Sequence, residues 1–160
     1  MTRIQIQPIT AEDFSPFGTL LTARPGCARL NFAAPVNNFR PNAKANLAIV
    51  RPPVAVMPCC VTLMERHAYS TQAFMPLGGV RALLFVAPGG DAGPDLTQAR
   101  AFAVPGDIGI SYHVGTWHMG MALLDQPGSM AMLVHEDGSA ADTEFREIAA
   151  VELSAAAAAE

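Results

Sequence analysis

At 160 residues, the chain is long enough for one domain with a sizeable core. Apolar residues make up 51% and charged residues 15%, and the formal net charge is −4. With its basic residues scattered, the chain offers no clustered cationic face for nucleic acid. No run reaches the ~20 apolar residues of a spanning helix and the first residues form no apolar signal core, so a cytoplasmic protein is expected. The apolar excess points instead to a subunit interface.

Ile4 and Ile6 alternate with Arg3, Gln5 and Gln7, which predicts a half-buried strand. Thr10-Ala-Glu-Asp13 is a capping-box start to a short helix, packed down by Phe14 and Phe17 and ended by Gly18. Leu20-Leu21 begins another strand. Residues 24–44 are rich in Pro, Asn and Gly and predict a long irregular excursion, with at most one short strand near Leu30 and Phe32. Leu47 to Arg51 is a strand stopped by Pro52-Pro53. From Cys60 onward, Val61, Leu63, Glu65 and His67 share one face of an extended chain. That face turns from apolar to ionisable, as a strand does when it approaches a pocket mouth.

Thr71 to Pro76 is short and extended, with Gln72 and Phe74 on one side. Val80 to Ala87 is nearly all apolar and predicts a strand buried on both faces. Pro88 to Pro94 reads as an exposed loop, Ala99 to Val104 as a strand and Pro105-Gly106-Asp107 as a tight turn. Ile108, Ile110 and Tyr112 alternate with smaller or polar residues. Trp117 to Leu124 and Ser129 to Val134 complete the strands, separated by the turn composition Asp125 to Gly128. His135 to Gly138 reads as a further turn. Short strands with turn signals and little helical periodicity give an all-β sandwich or barrel with minor helix. A single domain over residues 1–153 is expected, followed by a flexible alanine-rich tail at 154–160. Cys27, Cys59 and Cys60 form no C-x-x-C pair and are read as reduced thiols.

Two stretches hold the candidate chemistry: 65–76 and 105–118. Glu65 and His67, two apart on one face, suit a base and its orienting carboxylate. The alternative is a solvated ion pair. His67, His118 and His113 could form a three-imidazole metal set. No carboxylate supplies an easy fourth ligand, however, and Gln72 takes that place, so no metal and no other cofactor is expected. Arg51 could anchor a carboxylate by a two-point fork. Trp117 reads first as a core aromatic. The chain has no G-x-S-x-G, P-loop, H-E-x-x-H or G-x-G-x-x-G, which removes the common hydrolase, nucleotide and dinucleotide classes.

Glu65-Arg66-His67 with Thr71-Gln72-Ala73-Phe74-Met75-Pro76, then Gly109 to His113 with Trp117-His118, resemble the ureidoglycolate lyase family in order and spacing. Pro8 to Gly18 and Asp95 to Phe102 are also similar. Gly120, His135-Glu136 and residues 26–47 depart from the family pattern. The resemblance implies a cupin-like β-barrel (double-stranded β-helix), a homodimer, and cleavage of ureidoglycolate to glyoxylate and urea in allantoin breakdown. On that basis His67 is assigned as base, oriented by Glu65, and His118 or His113 as acid. Gln72 would hold the urea amide, and Arg51 or Arg66 the carboxylate. Tyr112 and Trp117 are expected beside the substrate. Arg66 points away from His67 in a regular strand, so it needs a bulge or a partner subunit to contribute. Two other functions fit the same barrel: a metal-dependent cupin enzyme acting on another small hydroxy or keto acid, and a non-catalytic binding module.

Overall fold

Strand β1 (Thr2–Pro8) is flanked on both sides by parallel partners, and its Ile6 is buried among them. The structure, a computed structural model, describes residues 1–32 and 36–155. Thr10 caps one helical turn, α1 (Ala11–Phe14): its hydroxyl accepts from the Asp13 N–H at 3.1 Å and donates to the Asp13 carboxylate at 2.7 Å. Gly18 lies beyond the helix end and opens β2 (Gly18–Leu21). A Cβ at Gly18 would stand 2.3 Å from the Ser111 carbonyl oxygen, so close approach of a neighbouring strand requires glycine there.

The remaining strands are β3 (Lys44–Val50), β4 (Cys59–Arg66), β5 (Gln72–Leu77), β6 (Ala82–Ala87), β7 (Gly89–Gly90), β8 (Gly93–Pro94), β9 (Arg100–Val104), β10 (Gly109–Tyr112), β11 (Trp117–His118), β12 (Ala122–Leu123), β13 (Ser129–Glu136) and β14 (Glu144–Ser154). Five strands form an antiparallel sheet in the order β2-β10-β5-β13-β3. Seven form a mixed sheet in the order β11-β4-β14-β1-β9-β6-β12. Because β11 also pairs with β6, six strands of this sheet close into a ring. The fold is therefore nearly all-β with a closed mixed barrel, as the turn-punctuated alternation predicts.

Strand β6 explains the two cores. Leu83, Phe85 and Ala87 point into the ring with Ile6, Met64 and Trp117. Ala82, Leu84 and Val86 point the other way, into a layer shared with Phe14, Phe74, Phe102 and Tyr112 under the five-stranded sheet. An all-apolar strand is what a position buried on both faces demands.

Three expectations are corrected. Strand β14 has no counterpart among the predicted strands, although at 11 residues it is the longest element among the described residues. Among the described residues 24–43 there is no strand at Leu30 or Phe32, only an isolated bridge between Asn38 and Ser70. The predicted strand from Trp117 to Leu124 is two short pieces, each paired with a different part of β6. The alanine tail past Ala155 lies outside the described residues. Among the described residues no helix is long and apolar enough to cross a membrane.

Candidate active site

The site forms where the ring meets the five-stranded sheet. Register places Glu65 of β4 directly opposite His118 of β11, so their side chains share a face. Across the layer, Gln72 of β5 is paired with Tyr112 of β10. His67 follows the last residue of β4, just before the turn that leads into β5. Alternation sends Arg66 the other way: its guanidinium lies 5.0 Å from the Trp117 ring centre and binds Glu144 at 2.6 Å and Asp91 at 2.8 Å.

Both buried imidazoles are pinned by backbone carbonyls. His67 Nδ1 lies 2.8 Å from the Asp142 carbonyl oxygen, and His118 Nδ1 lies 2.9 Å from that of Thr116. A carbonyl can only accept, so each Nδ1 carries the proton and each Nε2 is turned toward the site. The Nε2 of His67 is buried and has no partner among the described residues. The Nε2 of His118 stands 3.1 Å from the Gln72 amide oxygen and 3.4 Å from the Glu65 carboxylate. The Gln72 and Glu65 oxygens thus both face the same ring nitrogen. The His118 ring stacks on Tyr112 at 4.1 Å and on His67 at 5.7 Å. The Tyr112 hydroxyl is buried and has no partner among the described residues.

Burial, and then the neighbouring His118, push the His67 pKa below its ordinary value, while the Asp142 carbonyl opposes that shift. Burial alone would raise the Glu65 carboxyl, but its hydrogen bond to His118 and attraction to both histidines hold it low. Burial, with Glu65 adding to it, raises the Tyr112 phenol far above its ordinary range, so it stays a hydrogen-bond donor. The site thus holds a neutral imidazole, a carboxylate and a phenol in fixed orientations.

The same donors fit a divalent cation. One ligand atom each from Glu65, His67 and His118 lie within 4.8 Å of one another. The orphaned Nε2 of His67 and the carbonyl-anchored Nδ1 atoms are what ligating histidines show. The three-imidazole set weighed from sequence is not what the structure groups: His113 is exposed and its Nε2 bonds the Ser15 carbonyl at 3.1 Å.

Of the residues singled out from sequence, Glu65, His67, Gln72, Tyr112 and His118 come together. Glu65 orients His118, whereas His67 is oriented by Asp142. Trp117 sits in the ring core, its indole N–H 3.4 Å from the Gly90 carbonyl. Arg51 is exposed at the far end of β3, beside Pro127 to Ser129. Sheet register puts it about five residues, roughly 15 Å, from the level of Gln72. Sequence reasoning did not find Asp142 or Thr116, whose carbonyls anchor the histidines. Backbone acceptors have no residue signature, so the turn composition around Gly138 was the only available signal.

A family model described as ureidoglycolate lyase matches residues 1–154. A protein named ureidoglycolate lyase from Pseudomonas savastanoi pv. phaseolicola (strain 1448A / Race 6) is 36% identical over 127 residues, 74% of this chain and 74% of its own. The protein of that name from Pseudomonas syringae pv. tomato (strain ATCC BAA-871 / DC3000) is 32% identical over 148 residues, 87% of this chain and 86% of its own. One from Pseudomonas entomophila (strain L48) is 37% identical over 127 residues, 74% of this chain and 75% of its own.

Proposed function

We propose that this chain, which belongs to the ureidoglycolate lyase family, cleaves ureidoglycolate to glyoxylate and urea as a step of allantoin breakdown. The observation that carries the mechanism is the buried Nε2 of His67, without a partner among the described residues, beside the Nε2 of His118, which faces the Gln72 and Glu65 oxygens. His67 takes the proton from the substrate hydroxyl. The C–O bond becomes a carbonyl as the C–N bond breaks, and the electron pair leaves with the urea nitrogen. His118 Nε2–H supplies the proton that this nitrogen needs, with Glu65 stabilising the charged imidazole. Among the described residues the Gln72 amide N–H has only the Met132 sulfur, a weak acceptor at 3.5 Å, and can turn to the urea carbonyl. The Tyr112 hydroxyl is a second donor to the substrate.

One observation favours a second form of this mechanism. The arginines whose segments adjoin the site are already ion-paired, Arg66 to Glu144 and Asp91 and Arg40 to Asp137 and Asp142, although Arg40 Nε and Nη1 make no hydrogen bond among the described residues. A divalent cation held by Glu65, His67 and His118 would supply Lewis acidity and a positive charge for the substrate's oxygens. In that form the histidines act as ligands, and Gln72 and Tyr112 keep their orienting roles.

The same proposal includes a homodimer in the cytoplasm. Met75, Ala131 and Ile49 lie in one cross-strand row of the five-stranded sheet and Ala73, Leu133 and Leu47 in the next; Ala73 is buried, and the rows open to solvent toward β3. Leu47 and Ile49 are 70% and 65% exposed, a surface that a second copy would cover. The three cysteines are free, which fits a reducing compartment.

The test is glyoxylate release from racemic ureidoglycolate by the purified protein, with and without chelator. Turnover indifferent to chelator supports the proton-transfer form, and turnover lost with chelator and restored by metal supports the cation form. Absence of turnover in both conditions, with metal added back, overturns the lyase assignment.

A further inference from the structure

Arg40 sits where three separate segments meet. Its guanidinium binds the Asp142 carboxylate through Nη2 and the Asp137 carboxylate at 3.1 Å through Nη1, and its charged end lies 5.4 Å from the Tyr69 ring centre. Its backbone is fixed as well: the Asn38 side chain accepts from the Arg40 N–H at 3.0 Å and donates to the Arg40 carbonyl at 2.9 Å. Residues 37–39 are tied in turn to Tyr69 and Thr71 by backbone hydrogen bonds. Asp142 also accepts from the Asp137 and Gly138 N–H groups at 3.0 Å and 2.7 Å. Its backbone carbonyl is the one that takes the His67 Nδ1–H.

We propose that Arg40 is a positioning residue for His67: by clamping the Asp142 carboxylate, it keeps the Asp142 carbonyl on Nδ1 and the Nε2 lone pair turned into the site. The role depends on the planar fork, which reaches two carboxylates at once; a lysine ammonium in its place is a point charge on a shorter reach. This inference rests on the lyase reading for its kinetic consequence but not for its structural one.

The experiment compares wild type with Arg40→Gln and Arg40→Lys by steady-state kinetics on ureidoglycolate and by NMR of ¹⁵N-histidine-labelled protein. The Nδ1–H of His67 should give a slowly exchanging proton signal in wild type. Arg40→Gln is expected to weaken or abolish that signal and to lower kcat about ten- to a hundredfold, with KM little changed. Arg40→Lys should fall between. Asp142→Asn, which keeps the carbonyl but loses the charged clamp, should repeat the Arg40→Gln result and serves if that variant does not fold. A wild-type-like Nδ1–H signal in both Arg40→Gln and Asp142→Asn overturns the proposal, whatever the rates. If wild type itself shows no turnover, the lyase reading fails while the NMR comparison still decides the role of Arg40.

Discussion

Glu65 and His118 are direct cross-strand neighbours, and 3.4 Å separates the carboxylate oxygen from Nε2. The pair sits on the seam that closes the ring, so its spacing is set by backbone register and not by side-chain reach. Glu65→Gln preserves shape and removes the charge. It should lower kcat by ~10² or more while the protein stays folded, as read by glyoxylate release and thermal melting. Activity near wild type would show that His118 does not need the carboxylate.

The pH dependence follows from His67. A base must be unprotonated, and burial with the nearby His118 lowers its pKa below the ordinary 6.5. The enzyme should therefore keep kcat/KM as pH falls through 6.5 and lose it only in more acid solution. His67→Ala should cost ~10²–10⁴ in rate. An acid limb above 6.5, or a variant within a factor of a few of wild type, would remove His67 from the base role.

His113 and Arg51 make the opposite prediction. His113 is exposed and bonded to the Ser15 carbonyl, and Arg51 lies at the other end of its sheet from Gln72. His113→Ala and Arg51→Ala should leave kcat/KM unchanged. A large loss in kcat/KM for either would mean that a second subunit brings that residue to a site.

The outer face of the five-stranded sheet supplies a test of assembly. Leu47→Glu together with Ile49→Glu places two charges at the β3 ends of the apolar rows, where the side chains are most exposed. Sedimentation should show wild-type dimers and variant monomers. An unchanged sedimentation coefficient would put the interface elsewhere.

Much of this architecture was legible in the chain, and the exceptions have physical causes. Glu65, His67, Gln72, Tyr112 and His118 stand out by their place on short strands, but the predicted face of Val61, Leu63, Glu65 and His67 does not hold along its length: Val61 enters the ring core with Met64, and Leu63 is exposed. Which residue each would meet was not legible. Glu65 pairs with His118, 53 positions away, only because β11 lies between β4 and β6. Strand β14 was hidden by its own composition. Glu-Phe-Arg-Glu-Ile-Ala-Ala-Val-Glu-Leu is rich in good helix formers, and a shift in register between Glu147 and Val151 breaks the alternation. The N-cap at Thr10 is legible because the Asp13 N–H it accepts from lies three residues on; the Asp13 carboxylate takes the Thr10 hydroxyl and not its backbone N–H, so the cap forms without the reciprocal half of the box.

Trp117 and His118 are adjacent in the chain but belong to different interiors. The indole fills the ring, while the imidazole faces the reaction space outside it. One peptide bond therefore joins a piece of the protein's stability to a piece of its chemistry, and neither can be adjusted alone. A smaller side chain at 117 would let the two-residue strand sink toward the void and carry the imidazole away from Gln72 and Glu65. Over evolutionary time this makes residue 117 answerable to catalysis, although its side chain lies outside the reaction space. Variation in substrate preference would instead be expected to enter through Gln72, which belongs to neither hydrophobic core.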